Sequence, residues 1–214
     1  MATKYYEDAK VVLYHGDCNE VLPTLDPVDL CLTDPPYGIA ADAKAHAAGG
    51  KCGWTDYGET NWDSARPDAA TFRLLLAAAR HSIIWGGNYF ADLLPPSMGW
   101  LAWDKGQRGF SLADFELAWT SYQVAARCVV VPRAQALQDG KQHPTQKSLK
   151  VMSFCIQHAI DRDRKPIQTI IDPFAGSGTT LRAAKDLGLR AIGIEAHEPY
   201  CEIIATRMGQ ETLF

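Results

Sequence analysis

A chain of 214 residues, of which 47% are hydrophobic and 21% charged, is long enough to fill one hydrophobic core and has the size of a single domain. No apolar run approaches the roughly 18 residues of a membrane-spanning helix, and the charged N-terminus is not typical of a secretory signal, so we expect a cytoplasmic protein. The net charge of −4 gives no overall attraction to a polyanion, and the six scattered cysteines lack the spacing of a zinc site. The sequence therefore predicts one domain over residues 1–214, with no membrane segment and no metal centre.

Short apolar runs alternate with helical patterns along the chain. Seven runs rich in branched and aromatic residues predict strands: "KVVLYHGD", "DLCLTDPP", "HSIIWGG", "GWLAWDK", "FELAWTSY", "QTIIDPFAG" and "LRAIGIE". Four segments have helical spacing: "DAATFRLLLAAAR", "SLKVMSFCIQHAI", "GTTLRAAKDLG" and "EPYCEIIATRMG". This alternation predicts an α/β fold, in which a mostly parallel twisted sheet carries helices on both faces.

The second predicted strand ends in an unusual way, at "TDPPYG". Two prolines between Asp34 and Tyr37 can neither continue a helix nor easily complete a sheet ladder. They restrict the backbone to a turn at this point. Taken alone, the motif is also consistent with an ordinary turn in which Tyr37 is a packing residue.

A second informative stretch is "IIDPFAGSGTTLRAA", in which a strand runs through a glycine-rich turn into a helix. Such a turn presents backbone N–H groups to a ligand, and its glycines let the ligand approach the main chain. Asp172 ends this strand and Glu195 ends the next, where an acidic residue commonly binds ribose hydroxyls. The third glycine of a dinucleotide site and the Gly-Lys-Ser/Thr end of a P-loop are both missing. The stretch therefore predicts an adenosyl ligand with a short polar tail.

Together these motifs resemble those of the S-adenosylmethionine-dependent DNA methyltransferases that modify exocyclic amino groups. "DPPY" is similar to their catalytic motif, "DPFAGSGTT" to their cofactor loop, and "HPTQK" at 143–147 to the segment before that loop in the permuted, beta-type members. The order of motifs is also that of the permuted subgroup, although Ser148 stands where the subgroup usually has a second proline. The resemblance covers about residues 11–205 and implies a Rossmann-like methyltransferase fold with a circularly permuted motif order.

The resemblance suggests a catalytic role for Asp34, Pro35, Pro36 and Tyr37. An aromatic amino group is a poor nucleophile because its lone pair is delocalised into the ring. Our hypothesis is that the Asp34 carboxylate and the Pro35 carbonyl accept its two N–H groups while Pro36 helps to fix the turn. Tyr37 would stack on a target base that has left the duplex, and the amino nitrogen would attack the methyl group in line. Neither a metal nor a covalent intermediate is needed.

The cofactor implied by the resemblance is S-adenosylmethionine. Asp172 and the glycine loop would hold its methionine part, Glu195 its ribose and Asp17 its adenine, while Thr179 and Thr180 would cap the following helix. Several of these residues also have structural interpretations: Asp17 as a turn former, Phe174 as core and Glu195 as a solvated strand end. His143 and Lys147 are predicted to bind the cofactor carboxylate or DNA phosphate, or else to be merely exposed. The predicted cofactor-binding set is Asp17, Asp172, Phe174, Ala175, Gly176, Ser177, Gly178, Thr179, Glu195 and Lys147.

The implied partner is DNA, for which two segments are candidates. Together with Asp104, the basic segment 105–150 holds seven basic and four acidic residues, a local charge of +3, and predicts phosphate contacts by Lys105, Arg108 and Lys141. A solvated charged edge is the alternative interpretation. The long loop 38–66 carries three aromatic residues between glycines and could close on an extruded base, or be a disordered lid. Because no separate recognition domain fits, specificity would be short or relaxed, or supplied by a second subunit in a homodimer.

We therefore expect a DNA adenine-N6 methyltransferase. Asp34 favours this activity, since within the resembling family Asp is commoner at this motif position in adenine enzymes and Ser in cytosine enzymes. Cytosine-N4 methylation remains the nearest alternative, and a catalytically silent nucleic-acid-binding module is a further one. A protein-glutamine methyltransferase is disfavoured because its motif would start with Asn and its cofactor loop would come first.

Overall fold

The computed structural model describes residues 2–39, 63–108, 113–132, 135 and 147–210. The strands in these residues are β1 Thr3–Glu7, β2 Val11–His15, β3 Val28–Thr33, β4 Ala79–Trp85, β5 Trp100–Asp104, β6 Phe115–Thr120, β7 Arg127–Val130, β8 Thr169–Asp172 and β9 Arg190–Glu195. The helices are α1 Cys18–Val21, α2 Ala69–Ala77, α3 Leu149–Arg162, α4 Thr179–Asp186 and α5 Glu198–Gly209, with short 3-10 turns at Leu22–Thr24 and Gly87–Tyr89. All seven predicted strands and all four predicted helices are present.

The strands of the described residues form one sheet in the order β1-β2-β9-β8-β3-β4-β6-β5-β7. The run β2-β9-β8-β3-β4 is parallel throughout, and β5 and β7 are also parallel. The remaining pairs, β1 with β2 and β6 with both β4 and β5, are antiparallel. The prediction of a mostly parallel α/β sheet is confirmed.

Both faces of the sheet are buried under helices, which is why its central strands are apolar without interruption. In β3, Leu30 and Leu32 point into a core shared with α3, α4 and α5, whereas Cys31 points to the opposite side, into a core shared with α1 and α2. All three side chains are fully buried. The alternation follows from the period of two along a strand, and the predicted placement of helices on both faces is confirmed.

The course of the chain creates a crevice at the centre of the sheet. From β3 the chain crosses through α2 to β4 on one side, and from β8 it crosses through α4 to β9 on the other. Right-handed crossovers in opposite directions require helices on opposite faces, as observed. The connections diverge between β3 and β8, and ligands of open α/β sheets bind outside the carboxyl ends of the strands at such a point.

Two strands, the short helix α1 and one helix boundary differ from the prediction. β1 and β7 were not predicted, since they are short, lie at the two edges of the sheet and are largely exposed. The helix predicted over residues 68–80 ends at Ala77, and β4 begins at Ala79. Ala79 pairs with Val28 in parallel register, so that tertiary pairing overrides the helix propensity of the alanine run.

The part of the chain that the structure describes contains no helix long and apolar enough to cross a bilayer. Its cysteines are free thiols, four of them buried and Cys128 exposed. Residues 40–62 of the predicted loop 38–66 lie outside the described residues, as do Lys141 and His143 of the basic segment.

Candidate active site

Four carboxylates come together at the carboxyl end of the parallel strands. Asp172 and Glu195 are the last residues of β8 and β9, Asp34 directly follows β3, and Asp17 lies two residues beyond β2. A cleft of about 660 Å³ opens between them. The predicted residues that line it are Asp17, Asp34, Pro36, Lys147, Asp172, Phe174, Ala175, Gly176, Ser177, Thr179 and Glu195. Of the predicted set, Pro35, Tyr37 and Gly178 are not among the residues that line it.

The Asp34 carboxylate is paired on both oxygens. Its Oδ2 accepts a hydrogen bond from Lys147 Nζ at 2.6 Å, and its Oδ1 accepts one from the Tyr37 hydroxyl at 2.5 Å. Burial raises the pKa of Asp34, while the adjacent ammonium and hydroxyl groups act in the opposite direction. The arrangement presents a carboxylate to the cleft in a fixed orientation.

Lys147 has a different position from the one expected of a ligand-binding lysine. Only 4% of its side chain is exposed, and its ammonium also contacts Glu116 Oε2 at 2.9 Å and the Tyr37 hydroxyl at 3.3 Å. Burial disfavours the ammonium form, but the carboxylates of Asp34 and Glu116 outweigh it and raise the pKa of Lys147. The structure therefore brings Lys147 to the catalytic motif, and its proposed contacts with cofactor carboxylate or phosphate stay a prediction.

Glu116 is a site residue that the sequence did not indicate. It lies in β6 with a quarter of its side chain exposed and contacts two lysines, Lys147 and Lys105. Burial opposes its ionised form, yet the two ammonium groups lower the pKa of Glu116 to about 2. The only signal in the sequence is one acidic residue inside the apolar run "FELAW", which is equally typical of a strand with one solvated face.

The turn after β3 is held by contacts to distant parts of the chain. The backbone N–H groups of Tyr37 and Gly38 donate to Asp63 Oδ1 at 2.7 and 2.8 Å. The Tyr37 ring stacks on Tyr89 with centroids 4.7 Å apart, and it lies so close to Gly86 that a Cβ there would be 2.2 Å from a ring carbon. Tyr37 is thus held from both sides, and its stacking on a base stays a prediction.

Asp172, Glu195 and the glycine-rich turn between them form one half of the cleft, which we call the cofactor half. Its carboxylates accept hydrogen bonds from backbone and hydroxyl groups. Glu195 accepts from the N–H groups of Gly176 and His197, both at 2.8 Å. Asp172 accepts from the Thr33 hydroxyl at 2.7 Å and from the Phe174 N–H at 3.1 Å. Burial raises the pKa of Asp172 to about 6 and that of Glu195 to about 7. Glu195 is therefore no solvated strand end, since it also fixes the glycine loop.

The glycine loop requires its glycines for conformational reasons. Gly176 and Gly178 have φ values of 52° and 78°, in the left-handed region that other residues rarely adopt. A Cβ at Gly178 would also approach Ile204 to 3.0 Å, whereas a Cβ at Gly176 would meet no atom within 4 Å. The open space at Gly176 is consistent with close approach of a ligand to the backbone.

The predicted capping of α4 by threonines is wrong. The residue at the N-cap is Gly178, and the structure shows no side-chain cap hydrogen bond there. Thr179 and Thr180 are the first two helical residues and are buried. A left-handed glycine leads the chain into the helix, so the threonines start one position too late to act as caps. A cofactor contact by Thr179 stays a prediction.

Asp17 has a structural role at a turn, which was one of the two interpretations of this residue. It is the N-cap of α1, and its Oδ1 accepts from the Asn19 N–H at 2.8 Å. It also lines the cleft, so that a contact with adenine remains a prediction.

The basic segment divides into an inward and an outward part. Lys105, only 13% exposed, contacts Glu116 Oε1 at 2.6 Å and lies over the Trp103 ring. It therefore belongs to the internal ion pairs and not to a phosphate-contacting surface. Arg108 is 60% exposed and forms two hydrogen bonds to Asp104, at 2.9 and 2.6 Å. Arg108 is the candidate phosphate contact that the described residues retain.

Comparison with known proteins identifies a family for this chain. The family model N6_N4_Mtase, described as DNA methylase, matches residues 97–206, which is more than half of the chain. The type II methyltransferase M2.DpnII of Streptococcus pneumoniae is 25% identical over 99% of this chain and 94% of its own length. M2.LlaDCHI of Lactococcus lactis subsp. cremoris is 24% identical, over 98% and 93%.

Solved structures share the fold at low sequence identity. The M1.HpyAVI–SAM complex has a TM-score of 0.61 and 20% identity, covering 94% of this chain and 100% of that one. The cytosine-N4-specific PvuII DNA methyltransferase has a TM-score of 0.64 and 15% identity, covering 99% and 90%. The Rossmann-like methyltransferase fold is thus confirmed, and by its match to the family model this chain belongs to the N6/N4 family of DNA methylases.

Proposed function

We propose that this protein methylates the N6 amino group of adenine in DNA, as a member of the permuted, beta-type subgroup. Methylation of DNA with S-adenosylmethionine as the methyl donor is the activity of the family to which the chain belongs. One observation carries the proposed transfer to an exocyclic amino group: the Asp34 carboxylate is held by Lys147 and Tyr37 at the edge of the cleft, next to the cofactor loop. An acceptor in that place can orient an exocyclic amino group for in-line attack.

The residues of the turn 34–37, which we call the catalytic turn, have distinct proposed tasks. Asp34 accepts one N–H of the amino group and the carbonyl of Pro35 accepts the other, which favours a pyramidal nitrogen with an available lone pair. As the nitrogen becomes positively charged, the Asp34 carboxylate stabilises it. The incoming amino group competes with the Tyr37 hydroxyl for Oδ1, since that hydroxyl donates to this oxygen in the structure.

The cofactor half fits an adenosyl sulfonium by the chemistry of its groups. S-adenosylmethionine supplies a methyl group on a positively charged sulfur. Glu195 uses one lone pair of each oxygen for a backbone N–H, which leaves acceptor capacity for ribose hydroxyls. Asp172 and the loop 174–179 would bind the methionine part, and Asp17 the adenine. The absence of a side chain at Gly176 leaves room for this contact.

For DNA binding we propose the exposed Arg108 together with loop 38–66, acting from a single catalytic domain over residues 1–214 or from a homodimer. The names of the curated relatives, type II methyltransferases, support a role in restriction and modification in a bacterial cytoplasm. Asp34 as the first motif residue supports adenine over cytosine, because of the family preference stated above.

The test is incubation with labelled S-adenosylmethionine and either DNA or RNA, followed by hydrolysis and nucleoside analysis. We expect label in N6-methyldeoxyadenosine. Label in N4-methyldeoxycytidine would overturn the choice of adenine, and label in RNA alone would overturn the choice of DNA. If the protein bound the cofactor in calorimetry but transferred no label, the chain would be a silent binding module.

A further inference from the structure

Behind Asp34 and Lys147 lies an ion pair of residues that the recognised motifs do not include. Glu116 contacts Lys147 through Oε2 at 2.9 Å and Lys105 through Oε1 at 2.6 Å. Lys105 directly follows β5, which runs antiparallel to β6, the strand that carries Glu116. Four side chains of alternating charge thus form a continuous row that ends at the cleft: Lys105, Glu116, Lys147 and Asp34.

Burial makes this charge row a fixed arrangement. The exposed fraction of the side chain is 4% for Lys147, 13% for Lys105 and 25% for Glu116. Two ammonium and two carboxylate groups compensate one another as a set, so removal of one leaves an unpaired charge in a poorly solvated place. Exposed ion pairs, by contrast, contribute little and reorient easily. The charge row therefore has one preferred geometry.

Glu116 completes the coordination of the Lys147 ammonium. An ammonium has three N–H donors, and Lys147 has three acceptors: Asp34 at 2.6 Å, Glu116 at 2.9 Å and the Tyr37 hydroxyl at 3.3 Å. Two of these acceptors, Asp34 and Tyr37, belong to the catalytic turn. Glu116 is the acceptor on a separate element of the sheet, and it ties the ammonium to the β-scaffold.

We propose that Glu116 is a positioning residue for methyl transfer. It anchors Lys147, which in turn holds the Asp34 carboxylate in the orientation that accepts the N–H of the target amino group, and Lys105 holds Glu116 from behind. The proposal rests on the proposed role of Asp34. Because Glu116 acts on orientation at the reacting centre and not on cofactor contacts, its loss should lower kcat and leave cofactor binding intact.

The first test compares E116Q, E116D and a matched control. E116Q keeps the shape and removes the charge, so we expect kcat to fall by about tenfold or more, with cofactor Kd and KM within about twofold of wild type. E116D restores the charge on a shorter side chain and should recover part of kcat. D186N removes the carboxylate of the Arg182–Asp186 pair, which has a similar exposed fraction of 24%, and should leave kcat unchanged.

A double-mutant cycle tests whether Glu116 acts through Lys147. If it does, E116Q/K147M should have the kcat of K147M alone, because the anchor has no effect once the anchored group is gone. The proposal would be overturned if E116Q lowered kcat in the K147M background by the same factor as in the wild type. It would also be overturned if E116Q alone left kcat unchanged. Thermal melting of each variant reports whether it is folded.

Should E116Q not fold, E116D and K105M carry the test. Both should lower kcat more than they raise the cofactor KM, and unchanged kcat in both would overturn the proposal. The wild-type reaction separates the two levels of inference. A wild-type protein that binds cofactor and methylates no DNA contradicts the proposed function, whereas an active wild type with an equally active E116Q contradicts the positioning role alone.

Discussion

The catalytic and cofactor halves of the cleft use the same residue types in opposite electrostatic surroundings. In the catalytic half, Asp34 lies 2.6 Å from the ammonium of Lys147. In the cofactor half, Asp172 and Glu195 are held by backbone N–H and hydroxyl donors. Within the described residues no lysine or arginine forms an ion pair with either of them. Without such a counter-charge, burial raises the pKa of Asp172 to about 6 and that of Glu195 to about 7.

This difference separates two tasks. A carboxylate with a built-in counter-charge has a fixed orientation before any ligand arrives, which suits a group that must accept hydrogen bonds at the moment of reaction. Buried carboxylates without a counter-charge are poorly stabilised until a ligand offers further donors. Changes in the catalytic half should therefore appear in turnover, and changes in the cofactor half should appear in affinity and pH dependence.

The largest effect is expected for Asp34→Asn. The amide keeps the size of the side chain but loses the charge that stabilises the developing positive nitrogen. We expect turnover to fall by about two orders of magnitude or more, with cofactor affinity within a few-fold of wild type. Single-turnover rates and calorimetry measure the two quantities. An unchanged rate would show that Asp34 is not the acceptor. The proposed difference in role between the two halves of the cleft would then not hold.

Replacement of Glu195 should produce the converse result. Glu195→Ala should weaken cofactor binding by about 1.5–3 kcal/mol, since charge-assisted hydrogen bonds to ribose are lost together with the bonds that fix the loop. Glu195→Gln retains one carbonyl acceptor and should have a smaller effect. Calorimetry on both variants provides the measurement. Wild-type affinity in the alanine variant would place the ribose elsewhere.

The raised pKa of Glu195 predicts a pH dependence of the unliganded protein. Its pKa is about 7 in the folded state against a usual value of 4.5, so the folded state binds more protons between these pH values. The stability gained from the protonated carboxyl is complete below pH 4.5 and is lost as the pH rises through 7. Glu195→Gln should therefore flatten the decline of Tm between about pH 5 and pH 8.

The control for this measurement is Asp26→Asn, because Asp26 is exposed and its replacement should leave the pH profile of Tm unchanged. Parallel wild-type and Glu195→Gln profiles would contradict the raised pKa. Saturating cofactor should stabilise the wild type more at high pH than at low pH, since a ribose-bound carboxylate favours the ionised form.

The smallest expected effect concerns DNA phosphate. Arg108→Gln should reduce the slope of log affinity against log salt by about 0.9 if this side chain contacts one phosphate. Lys105→Gln should leave the slope unchanged, because the Lys105 ammonium is engaged by Glu116 inside the protein. A salt titration of DNA binding on both variants decides this. Equal losses of slope would mean that Lys105 leaves the charge row when DNA binds.

The pattern of the chain was sufficient for the central strands and for the four longer helices, which form most of the core. The apolar runs of β2, β3, β4, β8 and β9 are buried on both faces, and that burial is what makes them recognisable in the sequence. The edge strands β1 and β7 lack such a signal because exposed edge strands need no continuous apolar pattern. The early end of α2 at Ala77 escaped prediction for another reason, since it depends on pairing with β3, far away in the chain.

At the site, residue types and local turns were readable from the chain, and partners were not. The two prolines after Asp34 and the left-handed glycines before α4 impose local geometry, because backbone sterics act over a few residues. The contact of Lys147 with Asp34 joins residues 113 positions apart, and Glu116 in β6 and Lys105 directly after β5 complete the charge row. Only the folded sheet decides such contacts, because electrostatic pairing depends on distance in space, and one acidic residue in an apolar strand has the same sequence pattern whether it faces water or two lysines.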